Sequence, residues 1–240
     1  PLKDYHKEGG DVEAQFKHTR ELIKDPNVII GLANEYESTP QLIRRAYEFA
    51  KQHDKPIHTH ACETIEEVKH FKELTGKRPI QYFQEIGLLD YDLRIAHCTY
   101  ADALDALSMA QTNTLVMHCP TSNESISNNQ APIKAITRNQ GIVKLGTDSF
   151  AWNPSASILN EAFKSFEETR LNPLEAYELT HDELMTGEPA NFSLVKLDDL
   201  KPYNSLQGMI TKLMMNEPIS SVYLRGKKVV ENNKALLDIN

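Results

Sequence analysis

The chain alternates short runs of almost wholly apolar, often β-branched residues with longer stretches in which apolar positions recur every three or four residues. The short runs are VIIGLA (28–33), PIHTHA (56–61), LRIAHC (93–98), NTLVMHC (113–119) and GIVKLGT (141–147), and their starts lie 28, 37, 20 and 28 residues apart. That is the scale of repeated strand–helix units. Runs apolar on both faces predict parallel strands covered on two sides. Between the first two runs, Ser38 or Thr39 can cap a helix with Pro40 in its first turn, and Leu42, Ile43, Ala46, Tyr47 and Ala50 form one stripe. Ile158, Leu159, Ala162, Phe163 and Phe166 repeat the pattern after Pro154, and Val12, Phe16, Leu22 and Ile23 predict a helix leading into the first strand. The fold class is therefore α/β. Periodicity leaves both a doubly wound sheet and an α/β barrel open.

After about residue 190 the texture changes. NFSLVKLDDLKP and ISSVYLRGKKVVENNKALL carry short alternating strands around an RGKK turn, which predicts a small antiparallel β element. The chain thus divides into a main domain over 1–190 and an appended one over 191–240. Its 240 residues are 40% hydrophobic, enough for a real core. Charge narrows the partners: 26 basic against 34 acidic residues give a net charge of −8 and no basic stripe, which excludes electrostatic binding to nucleic acid or a membrane surface. A neutral or cationic small molecule fits. Three cysteines with no CxxC pair give no disulfide framework and read as reduced thiols in a cytoplasmic protein. No apolar run of the ~18 residues that a membrane span needs occurs, and the opening residues carry no signal-peptide pattern.

Chemistry concentrates at the strand ends. His60, His97 and Asp148 each stand at or near the C-terminal end of a run, with Glu63 just beyond the first. In parallel α/β folds that end is where converging loops build sites. Two imidazoles and a carboxylate suit a borderline divalent ion such as zinc or iron(II), and a nearby carboxylate that is not a ligand, Glu63, would carry a proton. Each residue also has a plain structural reading: a hydrogen-bonded core histidine, a capping aspartate, a first-turn glutamate. Their shared position at one end favours the site. His118, at another strand end, is a pocket residue by the same reasoning. His58 shares a strand face with His60 but one layer deeper, as packing or support. His6, His18, His53, His70 and His181 read as solvated, and Cys62, Cys98 and Cys119 as small buried fillers.

IHTHACET, RIAHCTYAD, VMHCPTSNESISNNQAPI and VKLGTDSFAWN, in that order, resemble the amidohydrolase superfamily, in the branch of cytosine deaminase, S-adenosylhomocysteine deaminase and triazine hydrolases. SLVKLDDL and VYLRGKKVVEN resemble the return into that family's β-sandwich. The resemblance implies a (β/α)8 TIM-type barrel, incomplete in this chain with strands four to eight, followed by a segment of a small β-sandwich. It implies one divalent metal, zinc or iron(II), held by His60, His97 and Asp148, with Glu63 as proton shuttle. The implied reaction deaminates an aminated purine, pyrimidine or related heterocycle through a metal-activated water. Dechlorination or ring-amide hydrolysis would use the same site. Asn123 in CPTSN matches a pocket-lining position, and Asn34 and Glu35 in GLANEYESTP stand where many relatives place a substrate-contacting histidine. The family's first-strand HxH has no counterpart, so an N-terminal segment of the same protein is expected, or else an inactive fragment. Members of the superfamily are often homo-oligomers.

Overall fold

The five apolar runs form one parallel sheet in the computed structural model, which describes residues 1–4, 11–181, 190–196, 205–216, 219–232 and 234–236. His6 and the LDDL of SLVKLDDL lie outside the described residues. The strands are β1 (Ile30–Gly31), β2 (Ile57–Ala61), β3 (Leu93–His97), β4 (Leu115–His118) and β5 (Ile142–Leu145). Their spatial order is β1-β2-β3-β4-β5, every neighbouring pair parallel. Each crossover returns to the adjacent strand, without the reversal of order that marks a doubly wound sheet. β1 is shorter than its apolar run, and Leu32 pairs instead with Leu2 in an isolated bridge.

Helices complete the repeat. α1 (Val12–Leu22), capped by Asp11, buries Phe16. α2 (Pro40–His53) starts at the Thr39 cap and buries Leu42, Ile43, Ala46, Phe49 and Ala50, so Phe49 takes a core position while Tyr47 sits half-buried. α3 (Ile65–Thr75) opens with a reciprocal capping box between Thr64 and Glu67 and stops at left-handed Gly76. α4 (Pro79–Glu85), α5 (Ala103–Ala110), α6 (Pro120–Ser127) and α7 (Ile133–Arg138) fill the later crossovers. Between α7 and β5 the backbone passes so close to Ala110 and Ile136 that a Cβ on Gly141 would lie 2.5 Å from the Ile136 methyl. Only glycine fits there.

Residues Pro1–Ala156 make one compact unit and Ser157–Asn240 a second. The second begins earlier than the change of texture near 190, because α8 (Ile158–Thr169) and α9 (Pro173–Glu178) pack with α10 (Leu206–Asn216). Its sheet joins β6 (Phe192–Val195), β7 (Ile219–Leu224), β8 (Lys227–Glu231) and β9 (Lys234–Ala235), antiparallel throughout. Arg225 and Gly226 both adopt left-handed backbone, φ 50° and 74°, which closes β7–β8 as a tight two-residue hairpin. The sequence reading anticipated strands here and missed α10, whose Ile210, Leu213 and Met214 are buried at helical spacing.

Candidate metal and catalytic site

β2 and β3 end level, with Ala61 paired to His97 and His60 to Ala96. In a regular ladder paired residues share a face, which would put His60 and His97 on opposite faces. The two rings nevertheless stack, with centroids 5.0 Å apart and planes 20° from parallel. The backbone explains this: His97 is left-handed at φ 72°, which turns its side chain out of the alternation. Cys62 (φ 54°), Cys98 (φ 53°) and Asp148 (φ 56°) are left-handed too, so non-glycine strain gathers at the C-terminal ends of β2, β3 and β5. Such strain persists only where the surroundings over-determine it. Here Cys98 donates its backbone N–H to the carbonyl of Ala61 (3.0 Å), and Tyr100 to that of Cys62 (2.8 Å).

The result is a convergent donor set. Glu63, His97 and Asp148 each offer one ligand atom, and these atoms lie within 4.8 Å of one another. Glu63 Oε1 is 3.6 Å from His97 Nε2. His60 stands against His97 but outside that mutual set, and its other neighbour is His58, with ring centroids 5.7 Å apart. Burial, then the nearby His97 and His58, push the His60 imidazole down to about 4. It is therefore neutral at pH 7, the form that can donate a lone pair to a metal. Burial raises the Glu63 carboxyl above the ordinary carboxylate range, with Glu67 and Asp148 adding to it and His97 opposing. One imidazole and two carboxylates, with a second neutral imidazole alongside, fit a divalent ion of borderline hardness.

Two of the donors, His97 and Asp148, are oriented from behind. Asn123 Oδ1 accepts from His97 Nδ1 at 3.0 Å, which leaves Nε2 as the lone-pair nitrogen facing Glu63. The amide of Asn123 in turn reaches His118 Nδ1 at 3.4 Å. Asp148 is exposed, its Oδ2 accepting from the Ser122 hydroxyl and its Oδ1 from the Ser149 N–H. Ser122 and Asn123 stand side by side in the first turn of α6, so one helix start steers two donors.

The amidohydrolase family profile matches residues 8–229. The chain belongs to this family. Among curated relatives, the amidohydrolase is 25% identical over 222 residues to 5'-deoxyadenosine deaminase of Methanococcus vannielii, covering 83% of this chain and 52% of the relative. It is 32% identical over 126 residues to 5-methylthioadenosine/S-adenosylhomocysteine deaminase of Aquifex aeolicus, covering 52% of this chain and 29% of the relative. The chain spans about half the length of the first of these relatives. Among solved structures it matches a zinc-bound adenosine deaminase from Xanthomonas campestris (TM-score 0.82, 18% identity, 97% of this chain and 58% of the other). A triazine hydrolase variant matches at TM-score 0.85 with 18% identity, over 97% of this chain and 60% of the other. These two likenesses establish the fold.

In this amidohydrolase the three residues expected to contact substrate are all buried: Asn123 and His118 are fully enclosed, and Glu35 is 1% exposed. The polar contacts they make go to protein groups, while Glu35 Oε2 and His118 Nε2 are buried without a hydrogen-bond partner among the described residues. Asn123 bridges the two histidines, and Glu35 Oε1 accepts the Cys62 N–H at 2.7 Å. His118 is pushed down to about 3, by burial first and by His97 second, and is neutral. His70, expected in solvent, is half-buried with its ring against Tyr36. The cysteines are free and buried. Sequence reasoning missed Ser122, although its place beside Asn123 was a usable signal. It also missed Glu67, whose Oε1 accepts from Asn34 at 2.6 Å, despite the capping-box spacing from Thr64.

Proposed function

We propose that this amidohydrolase is a metal-dependent deaminase of an aminated heterocycle, with a purine nucleoside favoured by the names of the curated relatives. The observation that carries the proposal is the convergence of Glu63, His97 and Asp148 at the C-terminal ends of β2, β3 and β5. The five sequential parallel strands are then strands four to eight of a (β/α)8 barrel, and the antiparallel sheet is part of a β-sandwich. Zinc is the proposed ion, held by His60, His97 and Asp148, with any further donors such as an HxH pair coming from outside these residues. A bound divalent ion supplies Lewis acidity and brings the pKa of a water toward neutrality. Buried free thiols suit a reducing compartment such as the cytoplasm.

The chain's own residues do the rest. His97, with Nδ1 tied to Asn123, keeps Nε2 aimed at the reacting side. Asp148, held by Ser122 and Ser149, orients the attacking water as a hydrogen-bond acceptor. Glu63 takes a proton from that water and returns it to the amino nitrogen, which departs as ammonia when its bond to the ring carbon breaks. A carboxyl raised by burial is suited to both halves of that transfer. The test is a panel of adenosine-type, cytosine-type and chlorotriazine substrates, followed by ammonia and chloride release. Ammonia release supports the proposal, chloride release transfers the site to dechlorination, and neither product from metal-loaded protein overturns it.

A further inference from the structure

We infer that Asn34 and Glu35 form a positioning pair that clamps the Cys62–Glu67 turn, and through it the Glu63 side chain, and that neither residue contacts substrate. The inference rests on the reading of Glu63 as proton carrier.

Glu63 has no regular element of its own; it sits between the end of β2 and the start of α3. Its two flanking peptide N–H groups are both held by glutamate carboxyl oxygens. The Cys62 N–H donates to Glu35 Oε1 at 2.7 Å, in a fully buried setting. The Thr64 N–H donates to Glu67 Oε2 at 2.8 Å, and Glu67 Oε1 accepts from Asn34 Nδ2 at 2.6 Å. Two consecutive residues of the loop after β1 thus pin the turn on either side of Glu63. One acts directly and the other through Glu67. The clamp is itself fixed. Asn34 Oδ1 accepts the N–H groups of Tyr36 (3.2 Å) and Glu37 (2.9 Å), and the Thr59 hydroxyl donates to the Ala33 carbonyl at 2.7 Å. Tyr36 packs its ring on His70 of α3, with centroids 4.8 Å apart.

The turn needs such a hold. Cys62 is left-handed and buried without being glycine, a conformation maintained only by surrounding contacts. A substrate contact would have to present a polar atom outward, whereas Glu35 is enclosed, with Oε1 on the Cys62 N–H and Oε2 buried and without a hydrogen-bond partner among the described residues. Burial, with Glu67 and Glu63 nearby, pushes its carboxyl up to about 8, so it is neutral at pH 7.

The experiment compares wild type with Glu35→Ala, Glu35→Gln and Asn34→Asp, by amide hydrogen exchange over residues 61–67 and by steady-state kinetics on the best deamination substrate. Glu35→Gln keeps an oxygen for the Cys62 N–H. Asn34→Asp keeps the acceptor for Tyr36 and Glu37 but sets a carboxylate against Glu67. Exchange at 62 and 64 should quicken about 10- to 100-fold in Glu35→Ala and Asn34→Asp, and stay near wild type in Glu35→Gln. In Glu35→Ala kcat should fall with KM unchanged, and Glu35→Gln should restore it. Unchanged exchange in Glu35→Ala and Asn34→Asp overturns the inference, and so does a rise in KM at constant kcat. If wild type deaminates nothing, the proposed function fails while the exchange comparison still decides the clamp. If Glu35→Ala does not fold, Asn34→Asp against Glu35→Gln carries the comparison.

Discussion

His118 gives the account a prediction that depends on no substrate. The ring is fully buried at the end of β4, bonded to Asn123, and its folded-state pKa is about 3 against about 6.5 in an unfolded chain. A base depressed by folding takes up its proton first in the unfolded state. Its contribution is therefore intact above about pH 6.5 and is lost as pH falls through the window toward 3. At about 1.4 kcal/mol per pKa unit, lowering the pH from 7 to 5 should cost about 2 kcal/mol through this residue. His118→Phe removes the proton site and the acceptor for the Asn123 amide. It should be less stable than wild type at pH 7 by about 1–3 kcal/mol, yet lose about 2 kcal/mol less between pH 7 and pH 5. Urea unfolding of metal-free protein at the two pH values, read by Trp152 fluorescence, makes the comparison. Trp152 is the sole tryptophan and lies in the unit that carries the site. His60 also titrates in this range and steepens both curves, so the difference between the curves is the test. Parallel loss of stability in wild type and variant would refute a buried neutral His118, and with it the chain from His118 through Asn123 to His97.

Two further substitutions probe other parts of the account. Glu63→Gln should lower deamination about 10²–10⁴-fold while zinc affinity changes only a few-fold; a collapse of affinity would instead make Glu63 a ligand. Arg78 spans α4 and α5, its Nη2 lying 2.7 Å from the buried Asp105 carboxylate and 2.5 Å from the Tyr100 carbonyl. Arg78→Ala should therefore cost about 3–5 kcal/mol in urea unfolding, and a loss under 1 kcal/mol would show that Asp105 finds other compensation.

The elements of the first unit were legible because burial on two faces writes itself into sequence as apolar runs, and each of the five runs became a strand. Thr39 and Pro40 marked the start of α2 for the same local reason that any helix start can be read. α10 went unseen because Leu206–Asn216 lies between strand-like segments whose alternation dominated the reading. At the site, the residue types and their common end of the sheet could be read, but not their mutual geometry. His97 faces His60 only because of a left-handed φ, which no periodicity encodes. The burial of Asn123, His118 and Glu35 likewise depends on contacts between residues up to 27 positions apart, such as Glu35 with Cys62.

The central claim is that these strand ends hold a divalent ion, and calorimetric titration of the metal-free protein with zinc tests it most directly, in wild type beside His97→Ala and Asp148→Asn. Loss of a residue that merely orients a ligand typically weakens binding ~10–100-fold, so loss of a donor should do more. The account predicts about one zinc per chain in wild type and binding weakened by more than ~100-fold in His97→Ala. No zinc uptake by wild type, or uptake that His97→Ala leaves unchanged, would contradict it.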